Sequence, residues 1–226
     1  MSRIRGAVLV VCMLVVSSIA AASALAALPE FEGPFPIHFT ALQLGTGTLI
    51  TKGNREVSCK HGSTLGFING PKDVLANSII YKECKSTKFG GGSCQSGAVK
   101  GEITTLSVLG LLGYIKANTK LVGLLFEQDG SQNHFASFEC ETLLGAEHLI
   151  VRGTVICHLS PVNTITKDYH LECKQTNGMP EPLSFEGGPK DFLTTEGTGP
   201  ENFGAEESGV TALSDVLTLT LTLILA

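Results

Sequence analysis

Apolar and polar residues alternate by twos along much of this chain. Ile37-His38-Phe39-Thr40-Ala41-Leu42-Gln43-Leu44 follows that rhythm, and so does Val216-Leu217-Thr218-Leu219-Thr220-Leu221-Thr222-Leu223. Side chains two apart share one face of a strand, so period two marks a half-buried strand. The same reading predicts strands over 47–52, 55–60, 64–69, 75–83, 97–104, 109–116, 120–126, 133–140, 148–158, 168–175 and 183–186. Turn sequences punctuate them: Lys52-Gly53-Asn54, Asn69-Gly70-Pro71, Asp129-Gly130-Ser131, Ser160-Pro161 and Asn177-Gly178. Helical periodicity is scarce, with only a turn or two expected at 142–147 and near 205–215. Many short strands at near-regular spacing predict an all-β protein, either an antiparallel β-sandwich or a partly closed β-barrel. Residues 186–209 change character, becoming rich in Gly, Pro, Thr and Glu, and read as a surface excursion before the final strand.

The N-terminus breaks the alternation. Arg3 and Arg5 precede an apolar run without charge until Glu30, and Ala24-Leu25-Ala26 supplies a small-x-small cleavage site. Residues 1–26 therefore read as a secretory signal peptide. Residues 27–226 are expected to form a single β-rich domain. Cys12 lies in the apolar run behind Val10-Val11, without the small residue a lipoprotein signal places before its cysteine.

Charge then narrows the partners. The chain has 16 basic and 21 acidic residues and a net charge of −5; loss of Arg3 and Arg5 makes it more acidic still. Without clustered Lys and Arg, neither nucleic acid nor anionic lipid is an expected partner. The C-terminal LTLTLTLIL is too evenly interrupted for a membrane helix. A membrane-spanning barrel would carry aromatic girdles, and this chain has no Trp and three Tyr. No membrane association is expected after cleavage.

Export changes the meaning of the cysteines. Cys59, Cys84, Cys94, Cys140, Cys157 and Cys173 lie beyond the signal, and an even number in an oxidising compartment reads as disulfides. A zinc site would need closely spaced ligand pairs, and a redox centre a C-x-x-C at a helix N-terminus; only Cys59-Lys60-His61 and Cys157-His158 come near. Cys84 and Cys94 flank a loop containing Gly90, Gly91 and Gly92, which glycine lets turn back without strain, so they are the preferred pair. The competing pair, Cys59 with Cys84, would have a strand between its members in a meander of 55–60, 64–70 and 74–84. Two strand spacings, about 9.6 Å, are too far for a disulfide. Cys157 and Cys173 lie on strands that could form a hairpin. Cys59–Cys140 follows by elimination.

ECKSTKFGGGSCQSGAVKGEITT, LLGYIKANTKLVGLLF, FASFEC, IVRGTVI with SPVNT, and EPLSFEGGPKDFL together resemble an uncharacterised family of secreted actinobacterial proteins. That family's pattern is a cysteine-flanked loop, a G-E-I strand, an L-G-Y-I segment, an F-x-x-F-x-C and a V-x-G-S-V-I strand. The likeness spans 59–193 and falls on Cys84, Cys94, Gly101, Glu102, Ile103, Leu112, Gly113, Tyr114, Ile115, Phe138 and Cys140. It implies export but no activity, cofactor or site. Cys157 and Cys173 depart from the pattern together, as an added disulfide would.

Catalytic signatures are few. No Gly-x-Ser-x-Gly elbow, P-loop or strand-linked Gly-x-Gly-x-x-Gly occurs, so no catalytic residue, cofactor or metal is assigned. His38, His61, His134, His148, His158 and His170 are scattered. Glu139 and Glu141 flank Cys140 on one strand face, as a glycosidase carboxylate pair would, but a solvated strand edge explains them as well. Glu102 and Tyr114 read as an outward strand residue and a core or rim aromatic. The expected function is a secreted or envelope-associated, non-catalytic binding or structural protein with a cell-wall or extracellular ligand. The alternative is a secreted hydrolase whose site is assembled from distant strands. A cleft lined by two carboxylates, or a serine within reach of a histidine, would favour that alternative.

Overall fold

A computed structural model describes residues 29–87, 91–130, 132–218 and 223–225. Residues 1–26, expected from the sequence to be a signal peptide, and the middle of the C-terminal Leu-Thr repeat lie outside them. β1 (Phe31–Glu32) leads into the long β2 (Ile37–Thr51), which folds back as β3 (Glu56–Cys59) and β4 (His61–Ile68). Short strands follow: β5 (Asp73–Ala76), β6 (Ile80–Lys82), β7 (Lys85–Ser86), β8 (Cys94–Gln95) and β9 (Ile103–Thr104). β10 (Val108–Lys116) and β11 (Leu121–Gln128) form one hairpin, β12 (Ala136–Thr142) and β13 (Gly145–Gly153) another. The chain ends with β14 (Val155–Ser160), β15 (Ile165–Thr166), β16 (Asp168–Thr176), β17 (Met179–Glu181), β18 (Leu193–Thr198), β19 (Glu206–Thr218) and β20 (Leu223–Leu225).

Backbone pairing closes an 8-strand antiparallel barrel. Its order is β10–β11–β14–β16–β19–β2–β4–β5 and back to β10. Of the two sequence alternatives, the barrel is the one adopted, and closure removes the sheet edges a sandwich would expose.

The remaining strands are not scattered decoration. β3 pairs β7, β7 meets β8 through Lys85 and Ser93, and β8 pairs β12. β12 pairs β13, β13 pairs β18, β18 pairs β19, and β19 returns through β2 to β3. This is a second closed ring, stacked on the first because β2, β19 and the β3–β4 run belong to both. Each ring has its own core. Phe39, Val74, Leu112, Leu124, Leu159 and Tyr169 fill the first; Val57, Phe138, Leu149, Val151, Leu193 and Phe203 fill the second.

A bulge in β2 marks the junction. On the β19 side the register passes from Leu44↔Leu213 to Thr48↔Thr211. On the other side it passes from Leu42↔Ser63 to Gly47↔Cys59. Extra residues in one strand bend it and raise its twist, which redirects β2 from one ring to the next.

That bulge also corrects the disulfides. The structure joins Cys59–Cys84, Cys94–Cys140 and Cys157–Cys173, with Cα separations of 4.0, 4.0 and 4.3 Å. The pairing of Cys157 with Cys173 is as expected; Cys84–Cys94 and Cys59–Cys140 are not formed. The meander was the error. β3 and β4 are one run broken only at Lys60, so no strand stands between Cys59 and Cys84. β7 lies beside β3 with Val57 opposite Ser86 and Ser58 opposite Lys85, which sets Cys59 across from Cys84. Cys94 and Cys140 are likewise register partners, and His158↔Glu172 carries Cys157 opposite Cys173. All three disulfides thus join facing residues on antiparallel neighbours, where Cα atoms come closest. Cys94 does lie beside Cys84, but through its backbone N–H, which donates to the Cys84 carbonyl at 3.0 Å.

Other expectations also change. The helix foreseen at 142–147 is the β12–β13 hairpin turn, and the one near 205–215 is β19. The run 148–158 is two strands divided at Gly153, whose φ of +100° turns the chain. Most of 97–104 is turn rather than strand, and 183–186 lies beyond β17 without strand structure. The 186–209 stretch contains β18 and the start of β19.

Candidate functional site: an apolar cavity through the rings

Inward residues of both rings leave a cavity of about 200 Å³. Its walls are apolar: Phe39, Leu124, Phe126, Phe135, Val155 and Leu193 line it. Alternation makes this so: Phe39 and Ala41 of β2, Leu124 and Phe126 of β11, and Val155, Cys157 and Leu159 of β14 are turned inward at every second position, with Gln43 a polar exception in β2. Spanning barrels have the opposite arrangement, polar inside and apolar outside. Two tyrosines add polar tips to the lining, Tyr81 and Tyr169. Burial pushes both phenols up to about 12, so each is a neutral hydroxyl at physiological pH.

The polar residues singled out from sequence lie elsewhere. Glu139 and Glu141 point outward from β12 and do not share a site. Lys100 Nζ holds Glu141 at 2.8 Å, and that hydrogen bond keeps the carboxyl below the usual range against a small desolvation cost. Glu139 instead approaches His148. Glu102 is 4.0 Å from Lys82 Nζ, and Tyr114 packs on the first-ring core. His170 pairs with Asp215 at 2.6 Å, His61 lies 3.4 Å from Glu83, and His38 meets the Phe67 ring edge-on. Among the described residues, no group of three or more His, Cys, Asp or Glu could hold a metal ion.

One constellation went unread in the sequence. Ser137 Oγ lies 3.2 Å from His148 Nε2, and His148 Nδ1 lies 3.9 Å from Glu139 Oε1. The order of contacts is serine, histidine, acid. It arises because Glu139 and His148 are register partners across the β12–β13 hairpin. The alternation Ser137, Glu139, Glu141 hinted at a polar face, but the helix assigned to 142–147 hid the hairpin that sets the register.

A second unread feature is Glu147, opposite Cys140 and without exposed surface. Its Oε2 accepts the Glu201 N–H at 3.0 Å, while Oε1 has no partner. This ties the segment before β19 to β13. Phe203 in that segment carries the Arg55 guanidinium 4.0 Å above its ring, and Arg55 also pairs with Glu206 and Glu201.

Compared with protein-family models, curated proteins and solved structures, the chain matches none.

Proposed function

We propose that this is an exported, non-catalytic binding protein that holds a small apolar molecule inside its stacked rings. The cavity carries this reading: about 200 Å³ lined mainly by aromatic and aliphatic side chains. An apolar cavity of roughly 150 Å³ stays dry and accepts a molecule the size of benzene, so this one has room for a single ring with a small substituent. The three disulfides support an oxidising, extracellular setting. Titration with fluorobenzene followed by 19F NMR tests the reading. Saturable binding to the purified protein, lost when Ala136 in the lining is enlarged by Ala136→Leu, is expected. No binding, or binding that Ala136→Leu leaves intact, refutes it.

The Ser137–His148–Glu139 contacts favour a second reading, a surface esterase. Geometry argues against it. A β-ladder commits backbone N–H groups to neighbouring strands, whereas acyl transfer needs free donors for an oxyanion, and the Glu139 contact exceeds hydrogen-bond length. Labelling of Ser137 by a fluorophosphonate would establish the esterase; an unlabelled serine removes it.

A further inference from the structure

We infer that the cavity is entered sideways, through the seam at the β2 bulge, and that Gln43 is the gate. This rests on the cavity-binding reading. The ladder is interrupted on both sides of β2 at one height: between Leu44 and Thr48 toward β19, and between Leu42 and Gly47 toward β3–β4. Cavity-lining residues there come in consecutive runs of three, Gly47 to Leu49, Gly62 to Thr64 and Val210 to Ala212. Neighbours in a regular strand face opposite sides, so the hollow reaches into the wall itself at this point.

Gln43 closes the opening from within. Its Nε2 donates to Gly45 O at 2.7 Å and to Cys59 O at 3.0 Å, bridging the missing rungs. The two bonds fix the amide, and its Oε1, left without a partner, lies flat over Gly47 and Gly62. A Cβ at either glycine would fall 2.9 or 2.8 Å from that oxygen, so the two glycines make the bed for the plate. A side chain held by two hydrogen bonds to carbonyls, with its own carbonyl oxygen lacking a donor, is bound less firmly than a rung of the ladder. Outside, Leu42 and Leu44 flank Gln43, and Leu213 faces Leu44; they are 44%, 42% and 39% exposed. This apolar rim gathers an apolar solute at the mouth before the amide swings away.

Fluorobenzene separates the two claims, since equilibrium titration reports the cavity and 19F exchange broadening reports the route. In Gln43→Ala, association and dissociation should both accelerate, by about tenfold, with the affinity changing far less. Phe203→Ala, at the second-ring core, should leave the exchange rate unchanged. If Gln43→Ala does not fold, Gly47→Ala serves, since its methyl group displaces the amide and should raise exchange by a smaller factor. Normal binding with wild-type exchange in the seam variant overturns the gate and spares the cavity. Failure of fluorobenzene to bind the wild-type protein overturns both.

Discussion

The two rings are built from different materials. Around the first, neighbouring strands such as β10 and β11 share registers of eight partners, and backbone ladders close the circle. Around the second, β7 and β8 have two residues each and cannot make a ladder worth the name. Cystines stand where the ladder is thinnest: Cys59, Cys84, Cys94 and Cys140 form a row across four successive strands. The difference teaches that the disulfides are not general reinforcement. They replace hydrogen-bonded rungs in the ring that lacks them, while Cys157–Cys173 binds β14 to β16 near the junction.

The largest effect expected from breaking this contrast lies in the first ring. Phe39→Ala should cost about 4 kcal/mol, the range for emptying a buried aromatic site, because Phe39 is 5% exposed and backs onto Gly66. Urea unfolding should show one cooperative shift. Next comes the second ring: Cys94→Ser with Cys140→Ser should cost about 3 kcal/mol, with either single variant as damaging as the double. Unlike Phe39→Ala, this loss should split the transition, with hydrogen exchange rising in β8, β12 and β13 ahead of β10 and β11.

Arg55→Met should matter less, about 1 kcal/mol, since it removes partly exposed ion pairs and one stacked guanidinium. The loss should be pH-dependent. Burial raises the Glu206 carboxyl somewhat, but the Thr51, Arg55 and Gly53 hydrogen bonds lower it overall. A depressed acid stabilises above its unfolded pKa and ceases to as pH falls through the folded value. Arg55→Met should therefore flatten the acid limb of a stability curve. The smallest effect is at His158, whose imidazole is pushed down by desolvation, opposed by Glu172 and aided by Lys174. Its neutral form suits the fold, so stability should be full above about 6.5 and decline as pH falls below it; His158→Gln should remove that slope in thermal melts.

Strand-forming segments were legible because alternation is local: Ile37 and Phe39 are buried and His38 exposed, as the pattern requires. Cys157–Cys173 was legible as a hairpin bridge, but the pairing among Cys59, Cys84, Cys94 and Cys140 was not, because it depends on one residue, Lys60, failing to separate two strands. A bulge leaves no mark in hydrophobic period except a shift of parity, and three residues of Ser, Thr and Gly near 62–64 blur even that. The helix misread at 142–147 has a similar origin. Leu143 and Leu144, 89% and 81% exposed at a hairpin tip, look like an apolar helix face when the turn between Thr142 and Gly145 is not seen. Cavity and seam follow from register between strands distant in sequence, which no single stretch encodes, whereas the Ser137–His148 contact needs only the register of the β12–β13 hairpin.

The hollow interior can be tested without knowing any natural ligand. Crystals pressurised with xenon should show a bound atom between Phe39, Leu124 and Phe126, inside the rings. Xenon confined to the protein surface, with continuous side-chain density filling that space, would contradict the cavity and every functional inference built on it.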